Sequence, residues 1–381
     1  MKIYAVGGAI RDELLKLPVA DHDWVVVGAT PEEMVAEGFK PIGRDFPVFL
    51  HPQTHEEYAL ARTERKIGPG YKGFTFHTSP DVTLEQDLRR RDLTINAMAR
   101  DPQGTLIDPF GGVNDLQHRL LRHVSEAFVE DPVRILRVAR FAARFKKAFN
   151  FSVAPETLAL MQTMVVRGEA DTLVPERVWQ ELARGLAEPT PSELFRVLDQ
   201  CHALPRILPE LAPFWASHAA TSLASVDHAA RCSQGLGVRF AAWITTLLQE
   251  APNGGRDVIL QFTERLRVPA EIRDLARITS ENCHAISQSA AASADTVLRL
   301  IERTDGLRRP QRFEAMLAAH ASTEPVNEHA IRDRLTQALQ AASQVLAGEI
   351  ARQENTPERI RERIRSARLE AIATVLQQHS S

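Results

Sequence analysis

Two short stretches of this 381-residue chain hold the residues best suited to chemistry: Gly7-Gly8-Ala9-Ile10-Arg11-Asp12 and Asp21-His22-Asp23. That chemistry is the handling of phosphates and hard cations. Asp21 and Asp23 open the run Trp24-Val25-Val26-Val27, which predicts a strand. Residues i and i+2 on a strand point to one face, so the two carboxylates converge on one spot. A pair of that kind suits two divalent cations and a triphosphate. The glycines end a short apolar strand, Ile3-Tyr4-Ala5-Val6, and let the backbone approach something bulky and charged. Arg11 falls in the first turn of a helix predicted from Ala9 to Leu17, near backbone amides that attract anions. An isolated Asp-x-Asp is more simply a solvated loop end. The glycines and Arg11 about ten residues upstream favour the metal reading.

Two further clusters carry arginine. Apolar residues at 84, 88, 95 and 98 predict a helix over 84–99 that bears Arg89, Arg90, Arg91 and Asp92. Farther on, Asp131-Pro132 is a good helix start, with Asp131 as N-cap and Pro132 at the first position. Arg134, Arg137 and Arg140 then step by three along a slanting ridge above Ile135, Leu136, Val138, Ala139 and Phe141. The plainer reading of both clusters is a solvated face, with Asp131 as a cap and nothing more.

The elements that must position these groups change character near residue 110. Strands are predicted at 3–6, 24–27, 47–50, 57–61 and 104–107, with a helix after the Thr30-Pro31 cap. Glycines at 68, 70 and 73 and Pro69 read as a long basic loop over 61–80. Asp108-Pro109-Phe110-Gly111-Gly112 reads as a turn between domains, and beyond it the pattern is helical with no repeat period. The fold class is therefore an α/β head followed by an all-α remainder. Hydrophobic content of 44% and charged content of 25% are ordinary for a globular chain. No stretch approaches a membrane span, and the first residues enter a strand with no sign of a signal peptide. Three separated cysteines with no metal-ligand spacing fit a reducing cytosol. A net charge of −3 leaves room for a local basic face.

Taken in order, Gly7-Gly8-x-x-Arg11-Asp12, Asp21-x-Asp23, Arg90-Arg91-Asp92-x-Thr94-x-Asn96, Asp108-Pro109-Phe110-Gly111-Gly112 and Glu130-Asp131-x-x-Arg134 resemble the motifs of the class II tRNA nucleotidyltransferases. That branch of the polymerase-beta-like superfamily contains CCA-adding enzymes and bacterial poly(A) polymerases. The resemblance covers about residues 1–185 well and the rest more weakly. It implies a catalytic head at 1–110, a helical neck at 111–205, and a helical body and tail at 206–381 that bind tRNA. By the same resemblance Asp21 and Asp23 hold two Mg²⁺ ions, and Gly8 and Arg11 contact the nucleotide. Arg91 meets its phosphates or sugar, and Arg137 and Arg140 hold the triphosphate. Asp131 and Arg134 read the base edge as a protein template. The 61–80 loop is implied to order the site, with Glu64 as a possible third acid, and 108–112 to act as a hinge. Val174-Pro175-Glu176-Arg177-Val178-Trp179-Gln180-Glu181-Leu182 resembles the last neck motif and is read as packing.

The template has a chemical rationale of its own. Cytosine and adenine each place an exocyclic amine beside a ring-nitrogen acceptor, which a carboxylate and a guanidinium match. Uracil and guanine invert the order and leave both groups unpaired in a closed site. The implied activity is addition of C, C and A to tRNA 3′ ends from CTP and ATP, in the cytoplasm, with no membrane and no obligate protein partner. The rivals are a poly(A) polymerase on the same scaffold, a non-catalytic RNA-binding relative, and a metal phosphohydrolase. The longest bacterial members carry a phosphohydrolase domain with a His-Asp metal pair. Trp243-Ile244-Thr245-Thr246-Leu247-Leu248 stands where that pair is expected, so the fold of that region is predicted to persist without its metal site. Arg359, Arg361, Arg363 and Arg365 in the tail read either as a solvated helix or as a surface for RNA phosphates.

Overall fold

The computed structural model describes residues 1–19, 22–42, 48–66, 74–323 and 328–378, without the side chains of 64–66, 74–77, 328, 329 and 378. The chain divides into two compact units, Met1–Gly185 with Glu193–Ile207, and Leu186–Ser192 with Leu208–Ser381.

The first unit opens with β1 (Lys2–Val6), α1 (Gly8–Leu14), β2 (Asp23–Val27) and α2 (Pro31–Ala36). Strands β3 (Lys40–Ile42), β4 (Val48–Leu50) and β5 (Glu57–Leu60) follow. Next come β6 (Arg62–Lys66), β7 (Phe74–Thr78), α3 (Leu84–Arg89), β8 (Ala99–Arg100) and β9 (Leu106–Ile107). The main sheet has seven strands in the order β3-β4-β5-β2-β1-β8-β9. Its pairs are antiparallel except β2 with β5, which run parallel. β6 and β7 pair separately.

β-branched and aromatic residues fill β1 and β2 because they pack well on a pleated surface. Alternation along β2 sends Val25 to a core with Val6, Ala61, Leu88 and Ala97, on the side of α3. Val26 joins Met34, Phe39, Phe49, Tyr58 and Leu60 on the side of α2. Asp23 shares parity with Val25, so it belongs to the α3 side. Thr30 caps α2 with a full capping box and Pro31 at the first turn, as the sequence predicts.

The predicted 84–99 helix stops early. α3 ends at Arg89, and a short 3₁₀ turn at Thr94–Asn96 and β8 take the rest. Tertiary contacts decide this: the Thr94 amide donates to the Arg122 carbonyl, and Arg137 donates to the Asp92 carboxylate. The ends of the 61–80 stretch are strands, not loop, and residues 67–73 lie outside the described residues.

Helices α4 (Gly112–His118), α5 (Val133–Phe149), α6 (Pro155–Val166) and α7 (Pro175–Ala187) complete the part of the first unit that shapes the site. Asp108 accepts from the Gly112 and Val113 amides and so starts α4. A Cβ on Gly112 would lie 2.4 Å from the Thr94 carbonyl oxygen, so close packing requires glycine there.

The second unit is helical. Ala212–Arg231, Leu236–Leu247, Ala270–Ser287 and Pro310–Ala321 pack on one another. Trp243 is buried beside Phe240 and Phe262. In the tail helix Pro357–Gln378, Arg365 is held by Asp295 and Glu302, and Arg363 by Glu354. Among the described residues, no helix is long and apolar enough to cross a membrane.

Candidate active site

The site starts where β1 leaves the sheet. Antiparallel pairing sets Val6 opposite Asp23, so Gly7 turns away beside that carboxylate. Gly7 has φ 73° and ψ −128°, and a Cβ there would lie 2.8 Å from Arg91 Nη1. The positive φ strains any side chain here, and one would also push the Arg91 guanidinium aside. This is the close approach to a charged group that the paired glycines predict. Parallel pairing places Glu57 of β5 in register with Asp23, on the same face. Both side chains are exposed. Asp21 and the side chain of Glu64 lie outside the described residues.

A cleft of about 960 Å³ opens over these strands. Among the described residues, ten arginines and four carboxylates line it. The chain as a whole carries −3, yet arginines outnumber carboxylates in this described lining, so a polyanion is attracted there. Gly8, Arg11, Asp23, Arg91, Asp131, Arg134, Arg137 and Arg140 all line it, gathered from four separate stretches of sequence.

Buried acids fix the arginines. Arg11 is 3% exposed and lies over the rings of Phe141 and Phe145, at 5.3 and 5.2 Å. It donates to Asn96 Oδ1 at 2.5 Å and to Asp12 Oδ1 at 2.8 Å. Burial lowers its pKa and Asp12 opposes that shift; the guanidinium stays cationic. Arg137 Nε donates to Asp92 Oδ2 at 2.7 Å. Burial alone would raise the Asp92 pKa, but Arg137 and Asn96 hold it well below the usual carboxylate range. Asp92 in turn raises Arg137. Asp87 behaves likewise: burial works against ionisation, and Arg90 and Arg91 bring its pKa below the usual range. Arg140 Nε donates to Glu181 Oε2 at 2.6 Å.

Asp131 and Arg134 line the same cleft but do not pair with each other in any of these bonds. α5 begins at Val133 with Pro132 in the cap position, one residue later than predicted. Asp131 nevertheless accepts from the Val133 amide at 3.1 Å, so it caps the helix and lines the cleft at once. Arg134 is 6% exposed and donates to the carbonyls of Ala127 and Arg90, each at 2.6 Å.

Sequence reasoning misses Glu57, Arg144, Arg177 and Arg184 in the lining, and Glu181 behind it. Arg144 was findable, because it continues the α5 ridge four residues beyond Arg140. It donates to Asp12 at 3.0 Å. Arg177 and Glu181 lie in the neck stretch read as packing alone. Both instead face α5 and bond Asp131 and Arg140. Glu57 had no local signal, since only the β2–β5 pairing brings it beside Asp23.

Residues 3–122 match the family described as the Poly A polymerase head domain. Residues 150–214 match one described as a probable RNA and SrmB-binding site of polymerase A. The Multifunctional CCA protein of Aromatoleum aromaticum is 52% identical over 403 residues, spanning 98% of this chain and 98% of that protein. The Bacillus stearothermophilus CCA-adding enzyme in complex with CTP has a TM-score of 0.69 at 22% identity, covering 98% of this chain and 88% of that one. The Thermotoga maritima CCA-adding enzyme complexed with tRNA_CCA has a TM-score of 0.68 at 20% identity, covering 99% and 90%. At those identities the two structures speak for the fold. The relative that is half identical along nearly its whole length speaks for more: this chain is a nucleotidyltransferase and belongs to the tRNA nucleotidyltransferase/poly(A) polymerase family, among its CCA-adding members.

Proposed function

We propose that this chain completes tRNA 3′ ends, adding C, C and A from CTP and ATP with Asp131 and Arg134 as the base-reading pair. One observation carries the reading beyond the family. A single arginine-rich cleft joins carboxylates on β2 and β5 to Asp131 at the start of α5. One bound nucleotide can span such a cleft, with its phosphates near the carboxylates and its base near Asp131.

Members of this family use a divalent metal ion, and Mg²⁺ is the ion proposed here. The donor set fits it. Asp23 and Glu57 are exposed oxygen donors side by side on adjacent strands, and Asp21 precedes Asp23 by two residues. Asp21, Asp23 and Glu57 would hold such ions, which would supply activation of the primer 3′-hydroxyl and charge neutralisation at the leaving pyrophosphate. The chain's own residues do the rest. Arg91, Arg137 and Arg140 hold the triphosphate, each steadied by a buried acid. Arg11 lies behind Gly8, locked by Asp12 and Asn96. The head at 1–110 catalyses, the neck at 111–205 carries the template, and the body and tail at 206–381 bind tRNA. The cytoplasm is the proposed compartment.

The test is direct. tRNA ending just before its CCA is incubated with each NTP alone and in pairs, and the products are sequenced. CTP alone should add two C residues, and CTP with ATP should add CCA and stop. A run of A residues from ATP alone would overturn the reading in favour of a poly(A) polymerase.

A further inference from the structure

The Asp131 carboxylate is nearly saturated. A carboxylate offers about four lone-pair sites on its two oxygens. Oδ1 accepts from the Val133 amide at 3.1 Å and from Arg177 Nη1 at 3.2 Å. Oδ2 accepts from Arg177 Nη2 at 2.8 Å. Among the described residues one acceptor site is left, on Oδ2, and Asp131 lines the cleft. A base amine needs one acceptor in a defined direction. The capping amide alone cannot set that direction, because a carboxylate held at one oxygen still swings about its side-chain bonds. The two-pronged bond from Arg177 removes that freedom.

We infer that Arg177 is the positioning residue that aims Asp131 at the base, and that it thereby sets the preference for CTP and ATP over UTP and GTP. The inference rests on the reading of Asp131 as a base-reading residue. α7 is built for the task. Glu181, one turn after Arg177, bonds Arg140 of α5 at 2.6 Å. The two helices are therefore fastened at two points, at Asp131 and at Arg140, and neither can slide along the other without breaking a charged bond. Arg134 does not substitute for the clamp, since its own guanidinium is anchored on the Ala127 and Arg90 carbonyls. A planar fork matches both carboxylate oxygens, which a lysine ammonium does not.

The competing account is an ion pair with no role beyond holding two helices together. The side chains of Arg177 and Asp131 are 29% and 20% exposed, so such a bridge alone would contribute little. Nucleotide ranking separates the two. kcat/KM for all four NTPs on matched tRNA ends, with melting temperatures, is measured for Arg177→Gln, Arg177→Lys, Asp131→Asn and the double variant Asp131→Asn/Arg177→Gln. In Arg177→Gln the discrimination against UTP and GTP should fall about tenfold or more, the size of one charge-assisted bond. Arg177→Lys should fall between that variant and the parent. It also supplies the reading if the glutamine variant melts early. In the Asp131→Asn background Arg177→Gln should change the ranking no further, because Arg177 acts through Asp131.

An unchanged ranking in both folded Arg177 variants overturns the inference, whatever happens to the melting temperature. So does an equal shift in the Asp131→Asn background, which would mean that Arg177 meets the base itself. If Asp131→Asn leaves the ranking intact, the base-reading role falls and the inference falls with it. If Asp131→Asn alters the ranking and the Arg177 variants do not, only the inference falls.

Discussion

Asp23 shows how little a residue type means without its neighbours. It is an exposed acid at a strand end, where a solvated role is the default. Its meaning comes from Glu57 beside it and Arg91 crossing Gly7 above it. In the proposed metal site the charge of Asp23 matters and its bulk does not, so Asp23→Asn should keep the fold and tRNA binding. Incorporation should fall by about 10²–10³-fold or more. Near-parental turnover with Mg²⁺ in that variant would remove Asp23 from the metal site. Glu57→Gln tests the residue that sequence reasoning missed. It should raise the Mg²⁺ concentration needed for half-maximal activity, with the melting temperature unchanged. An unaltered Mg²⁺ titration would leave Glu57 as a solvated edge residue.

At the scale of elements, buried acids join the turn after α3 to α5 and α7. Asp92 accepts from the Leu93 amide, Asn96 and Arg137, and so ties that turn to α5. Its pKa is depressed in the folded chain, as is that of Asp87. The folded state thus binds fewer protons than the unfolded state near the unfolded value of about 3.9. The stability these acids contribute is full above that value and is lost as pH falls through it toward the folded pKa. Asp92→Asn should lower stability at neutral pH by about 1–3 kcal/mol, discounted because the Arg137 side chain is 36% exposed. It should also flatten the acid limb of a melting-temperature profile taken from about pH 5 to pH 3. A limb as steep as the parent's would mean that other carboxylates govern acid unfolding. The same turn explains why the 84–99 helix reading fails. The apolar spacing at 84, 88, 95 and 98 is real, but Asp92 bonds Arg137 of α5 and Thr94 bonds Asp115 and Arg122.

Across the whole molecule, net charge is a poor guide to the partner. A chain of −3 places ten arginines, among the described residues, around one cleft. In the second unit, the stretch where the resemblance expects a His-Asp metal pair is filled by packing side chains. Trp243 is 1% exposed between aromatic rings, and the Thr246 hydroxyl is turned to the Ala242 carbonyl at 3.0 Å. An imidazole–carboxylate pair has no counterpart in that stretch, so no metal-dependent phosphodiesterase activity is expected. Incubation with 2′,3′-cyclic AMP and Ni²⁺ or Mg²⁺ checks this. Robust ring opening to 2′- or 3′-AMP that survives Asp23→Asn would show that a second active site exists. In the tail, the ion pairs of Arg363 and Arg365 favour the solvated-helix reading for those two arginines.

The sequence alone determined the strand at 24–27, the cap at Thr30, the arginine ridge of α5 and the need for glycine near a charged group. Each is local: periodicity, capping and backbone freedom are properties of a few consecutive residues. Motif order pointed to Gly8, Arg11, Asp23, Arg91, Asp131, Arg134, Arg137 and Arg140, which all line one cleft. What only the tertiary structure decided were partnerships across long separations. Glu57 meets Asp23 through a parallel strand pair, Arg177 meets Asp131 through α7, and Arg134 turns to backbone carbonyls. No local pattern encodes which carboxylate a guanidinium will find. For the buried acids Asp87, Asp92 and Glu181, burial makes a partner obligatory, because an uncompensated charge in the interior is costly.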